Sequence, residues 1–212
     1  MDLSTLSGSR PVRLTDRQGN ISTGMPEPFS AQEGLRVHGR EEEGVKVGDR
    51  VVFSGEIADI RPLPTCEEAR RTIPAGFYRH FMGGEYEVTA IARHSETGEA
   101  MVVYRSVRSG DTWVRPADMW NETLERNGKT YRRFYALDRI RRVEEYERLF
   151  EEATACPDAG KLRILDAYYT SGQWLEDYEA DERGELPPDL KRGVLSQDAL
   201  SALLEETGSA RE

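Results

Sequence analysis

The chain has 212 residues, of which 37% are hydrophobic and 32% charged, and its formal net charge is −10 at pH 7. That length holds one large domain or two small ones, and the high charged share favours two small modules over one tightly cored enzyme domain. The acidity excludes a global attraction for nucleic acid, while the two distant cysteines, Cys66 and Cys156, exclude a disulfide scaffold and a cysteine-rich zinc site.

The charge is unevenly placed. Residues 1–73 carry 10 positive and 12 negative side chains, 74–138 carry 9 and 9, and 139–212 carry 10 and 18. A nucleic-acid role would therefore rest on a local patch in the neutral middle segment. No apolar run is long enough to span a bilayer, and the opening MDLSTLSGSR lacks the basic-then-apolar build of a signal peptide, so a cytoplasmic location without membrane contact is expected.

Residues 1–44 are rich in Gly, Ser, Pro and charge and keep no sustained period, which predicts a flexible or loosely docked arm. Residues 45–73 come next. Val45, Val47, Val51, Phe53, Ile57 and Ile60, broken by Ser54-Gly55, predict two short strands and a turn, and CEEARRTIP predicts a helical turn ending before Pro74.

The segment 74–137 has the cleanest punctuation. Strands over 77–81, 85–93, 99–107, 112–115 and 130–136 are separated by Met82-Gly83-Gly84, Ser95-Glu96-Thr97-Gly98 and Arg108-Ser109-Gly110-Asp111, with a further turn at Asn127-Gly128. Hairpin turns at successive gaps predict an antiparallel meander curled into a small barrel, and PADMW after the last arginine predicts a short helix opened by Pro116.

From 138 to 212 the period becomes helical. Ile140, Val143, Tyr146, Phe150 and Ala153 recur at three- and four-residue steps up to Pro157, and Leu162, Leu165, Tyr168 and Tyr169 follow before Gly172, which predicts a helical hairpin. Beyond it lie an acidic loop around Trp174, Leu175 and Tyr178 and a last helix capped by Ser196. The fold class expected is α+β: a poorly ordered N-terminal arm, a small antiparallel β-barrel-like module and a helical hairpin module.

The motifs YRHF, EYEV, IARHSETGE, VVYR and WVRPADMW occur in order within residues 76–136, and this stretch resembles the bacterial domain-of-unknown-function family 1653. Downstream, LDAYYTSGQWLEDYEADERGELPPDLKRGVLSQDALSALLEE is similar to the end of domain-of-unknown-function family 4298, here over 138–206 with a shorter helical hairpin before it. Neither resemblance implies an established activity or a cofactor.

Function is then weighed residue by residue. The binding candidates are Tyr78, Arg79, His80, His94, Tyr104, Arg105, Trp113 and Arg115. Arginine forks suit phosphate or carboxylate and neighbouring rings stack on bases, so the leading expectation is noncatalytic recognition of a nucleotide-like or anionic ligand, or of a nucleic-acid element. The bland alternative makes Tyr104 and Trp113 core residues with the arginines as solvated cover. His80, His94 and Glu96 are weak catalytic candidates for a small hydrolase or transferase, because imidazole titrates near neutrality and a carboxylate fixes its tautomer. The same three lack the spacing of a metal motif, and no metal site is expected. The acidic helical half offers a third alternative, an adaptor surface for a protein partner, unless Lys191 and Arg192 pair with that acidic run internally.

Overall fold

The computed structural model describes residues 3–6 and 10–209. In chain order the elements are β1 (Val12–Asp16), β2 (Ile21–Gly24), β3 (Pro26–Phe29), α1 (Ala31–Glu33), β4 (Gly44–Val47), β5 (Arg50–Phe53), β6 (Ile57–Pro62) and α2 (Cys66–Thr72). The middle segment gives β7 (Gly76–His80), β8 (Glu85–Arg93), β9 (Ala100–Ser106), β10 (Thr112–Pro116), β11 (Thr123–Arg126), β12 (Lys129–Arg132) and β13 (Phe134–Ala136). Four helices complete the chain: α3 (Leu137–Ala155), α4 (Ala159–Tyr169), α5 (Gly172–Glu182) and α6 (Gln197–Ser209). They divide into two compact units, the first of Met1–Ala75 with Val88–Trp120 and the second of Gly76–Glu87 with Asn121–Glu212. The architecture is α+β, with antiparallel strands and a helical C-terminal region.

Unit 1 corrects the expectation of a loose arm. Residues 12–29 form β1 to β3, with β1 held between β2 and β6 and β3 paired to β4. Val12, Leu14, Val45, Val47 and Val52 close a core in which Leu14 and Val45 are fully buried. Full burial of a valine or leucine side chain contributes about 1.5–3 kcal/mol, enough to fix a segment of low mean hydropathy. Two prolines in PEPF hid β3. They sit opposite Val47 and Val45 on the outer strand of the β3-β4-β5 sheet, where a missing N–H breaks no ladder bond if it faces away from β4. Gly44 faces Phe29, and a Cβ there would lie 2.5 Å from the Phe29 ring and 2.6 Å from the Val52 carbonyl. The second half of β8 pairs with β9, and β9 with β10, in the same unit.

In unit 2 the first residues of β8 follow β7 through a tight turn, in which the His80 amide donates to Gly84 O at 2.7 Å and the Gly83 amide to His80 O at 2.7 Å. Gly83 has φ +96°, which favours glycine there. β13 lies on the other side of β7, and β11 and β12 form a hairpin on Asn127 (φ 53°) and Gly128 (φ 72°), the turn expected from the Asn-Gly pair. These strands form open sheets, and the expected barrel does not close.

The helices bury Ile140, Val143, Leu162, Leu165, Tyr168 and Trp174 in one core with Val194, Leu195 and Leu200. Asp158 caps α4, accepting from the Gly160 and Lys161 amides at 2.8 and 3.1 Å. The acidic stretch expected as a loop is α5. Its Asp177 is fully buried and accepts from Arg142 at 2.7 and 2.6 Å and from the Tyr168 hydroxyl at 2.8 Å, so the carboxylate organises the helical packing. That hydrogen bond together with burial pushes the Tyr168 phenol upward, burial first.

Candidate functional site: a ring-lined cleft in unit 2

β7 brings Arg79 and His80 to one end of the unit 2 strands, where the Gly83-Gly84 turn exposes the chain that carries Phe81. Alternation sets their directions: Arg79 stands opposite Tyr135 and His80 opposite Phe134 on β13. The His80 ring packs 5.0 Å from Phe134 and 4.5 Å from Phe81, and its Nδ1 accepts the Met82 amide at 3.3 Å. β12 adds Tyr131, whose ring centre is 6.0 Å from Phe81.

Helix α3 and the Pro187–Leu190 loop complete a cleft of about 210 Å³ lined by Arg79, His80, Phe81, Tyr131, Tyr135, Glu144, Pro187, Asp189 and Leu190. It continues along α3 into a second recess of about 270 Å³ that shares Glu144, Asp189 and Leu190 and adds Glu147, Glu151 and Lys191.

The charges in the cleft are arranged in pairs. Arg79 reaches Glu144 at 3.1 Å and Glu85 at 3.5 Å. Asp189 accepts the Tyr131 hydroxyl at 2.8 Å and pairs with Lys129, contacts that hold its carboxyl below the usual aspartate range, the Lys129 bond foremost. The same carboxylate pushes the Tyr131 phenol up. Burial raises the Tyr135 phenol, whose oxygen accepts the Arg132 amide at 2.7 Å. Tyr78, buried on β7, is pushed up to about 12 by burial. The result is a cleft of rings and acceptor-only carboxylates with one arginine whose charge is already balanced.

The sequence candidates divide between the units. Tyr78, Arg79 and His80 lie in unit 2, with Arg79 and His80 in the cleft wall and Tyr78 in the core. His94, Glu96, Tyr104, Arg105, Trp113 and Arg115 lie in unit 1. Tyr104 is 7% exposed and packs on Trp120 at 5.1 Å, a core position, whereas Trp113 is 54% exposed. His94 closes its own turn, Nδ1 accepting the Glu96 and Thr97 amides, both at 3.2 Å. Neither unit contains the whole His80, His94 and Glu96 trio. Among the described residues no group of three or more His, Cys, Asp and Glu side chains is placed to hold a metal ion. Tyr131, Tyr135, Glu144 and Asp189 escaped the sequence reading; the ELPPDLKRG stretch, with a stiff Pro-Pro backbone and charges behind it, was the signal for the loop.

Fold and cleft define an α+β protein with a small ring-lined recess in its second unit. Residues 76–136 match the family described as protein of unknown function (DUF1653), and 138–211 match a domain of unknown function (DUF4298), whose span passes the expected end at 206. A solved protein of the first family from Bordetella bronchiseptica is 34% identical, over 30% of this chain and 86% of its own, with a TM-score of 0.28. The chain belongs to the DUF1653 family through this central segment. The SHH1 SAWADEE domain, solved with an H3K9me3 peptide, is 14% identical over 52% of this chain and 95% of its own, with a TM-score of 0.19. No curated protein matches the chain. Among the described residues no helix is long and apolar enough to cross a membrane.

Proposed function

We propose that the protein is a noncatalytic recognition module whose unit 2 cleft takes one planar, amino-bearing ring, such as the base of a nucleotide-like ligand. The observation that carries this reading is the pairing of ring walls, Phe81, Tyr131 and Tyr135, with the acceptor carboxylates of Glu144 and Asp189 in a single recess. Rings stack on a planar group whatever its substituents, and carboxylates select for N–H donors. A volume of about 210 Å³ suits one ring, since pockets for whole drug-sized ligands start at about 300 Å³. Phosphates would stay outside, because the charge of Arg79 is met by Glu85 and Glu144, whereas each carboxylate keeps acceptor lone pairs beyond its bonds to Arg79 or to Lys129 and Tyr131. The base, and not the anionic group, is then the recognised part.

The alternatives have less support. A hydrolase or transferase built on His80, His94 and Glu96 finds no assembled trio within a unit. An adaptor for a basic partner loses much of its charge, because Asp177 is met by Arg142 and Arg139, Asp181 by Arg192 and Glu179 by Arg183. Calorimetric titration with adenosine, cytidine, guanosine and inorganic phosphate tests the reading. At least one nucleoside gives saturable heat that Glu144→Gln weakens about tenfold, the effect of one charged hydrogen bond, and phosphate gives none. Binding of phosphate alone, or no nucleoside binding at millimolar concentration, overturns it.

A further inference from the structure

Strand β10 is the outer strand of the unit 1 ladder and pairs only with β9 among the described residues. Soluble proteins usually blunt or cover such an edge. Here it presents Trp113 and Val114, 54% and 63% exposed.

The β9 register fixes where its backbone groups point. The Ser106 amide donates to Asp111 O at 2.9 Å, so Asp111 occupies a hydrogen-bonded position, and alternation puts Trp113 and Arg115 at the next ones. The N–H and C=O groups of Thr112 and Val114 therefore face outward. Pro116 falls on the same outward set, where its missing N–H leaves the β9 ladder intact.

We propose that β10 is a self-pairing edge through which two copies of this chain form an antiparallel dimer centred on Trp113. In that register Thr112 of each copy exchanges its backbone bonds with Val114 of the other. Trp113 meets its own counterpart, and Arg115 stands opposite Asp111 of the second copy. Each side chain gains what it lacks in a single copy. Arg115 makes no ion pair among the described residues, and Asp111, exposed, makes none either. Trp113 stands on the same face as buried Tyr104, so the core-side layer ends in a half-covered indole that a second indole covers. A strand from an unrelated protein could take the same backbone groups. Only a second copy supplies a carboxylate and an aromatic ring at the matching positions by symmetry.

Sedimentation of the full chain tests the proposal. The wild type is a dimer in equilibrium with monomer. Asp111→Arg or Arg115→Asp alone sets like charges opposite each other twice per interface and weakens the dimer about tenfold or more. An equimolar mixture of the two variants restores both opposite-charge pairs and dimerises again, as does the double reversal within one chain. The Asp111→Arg change, at an exposed position, keeps the test decisive if Arg115→Asp does not fold. A wild type that stays monomeric at about 100 µM, a dimer that Asp111→Arg leaves unweakened, or a mixture and double reversal that stay apart overturns it.

Discussion

The two units solve the same packing problem with different chemistry. Unit 1 buries an aliphatic cluster, Val12, Leu14, Val45, Val47 and Val52, and a Tyr104–Trp120 ring pair, and at its β1–β2 turn Asp16 accepts from the Gln18 and Asn20 amides at 2.9 and 2.8 Å. Unit 2 places a carboxylate, Asp177, at the centre of its helices and gathers rings and paired charges into a cleft. The contrast teaches where specificity can reside. An apolar core positions strands and leaves the edge of β10 to speak for the unit, whereas a core that already contains oriented polar groups can present more of them at its rim.

The largest break in this comparison is Asp177→Ala. It leaves Arg142 and the Tyr168 hydroxyl without their shared acceptor, and losing one partner of a buried ion pair costs about 3–5 kcal/mol. Chemical denaturation followed by the helical far-ultraviolet signal reads that loss, and a cost below about 1 kcal/mol would contradict the organising role of the carboxylate.

Leu14→Ala probes the other core. The side chain is fully buried, so the expected loss is about 2–5 kcal/mol, spread by how far the strands around it can collapse. Amide exchange should speed up in β1, β4 and β5, and unchanged protection there would show that the strands do not depend on this contact.

The smallest effect is one of pH. Asp16 is lowered from 3.8 to about 2, first by the Asn20 side chain, then by the Asn20 and Gln18 amides and Arg50, against the opposing influence of burial. A carboxyl that titrates lower in the folded state favours folding when ionised. Its contribution is whole above about pH 4 and fades as pH falls from 3.8 toward 2. The gap in Tm between wild type and Asp16→Asn should therefore narrow across that window. A gap that is constant or widens toward low pH would contradict the assignment.

Legibility followed the strength of the local pattern. The apolar repeat through Ile140, Val143 and Ala153 placed α3 to within a residue or two, and the glycine-bearing turns at Gly83 and Gly128 placed β7, β8 and β12. β1 to β3 were missed because strands of four or five residues interrupted by Gly and Pro carry too few alternations to register, and their stability comes from partners distant in sequence, such as Ile60 opposite Leu14. α5 was misread because its acidic face looks solvated in sequence, while Arg142, Arg192 and Arg183 neutralise it in space. The site was legible only in part. Arg79 and His80 announced themselves within a patterned strand, but Glu144 and Asp189 are ordinary surface acids until α3 and the proline-stiffened loop bring them to the same recess. Trp113 and Arg115 were noticed for their chemistry, and only the register with β9 shows that they lie on an open edge.

The most direct test of the central claim is an amide and side-chain NMR titration of the full chain with the nucleoside that gives calorimetric heat. The account predicts shifts concentrated at Phe81, Tyr131, Tyr135 and Leu190 in unit 2, lost in Glu144→Gln. Shifts confined to Trp113, Arg115 and their neighbours in unit 1 would contradict it and move recognition to the β10 edge.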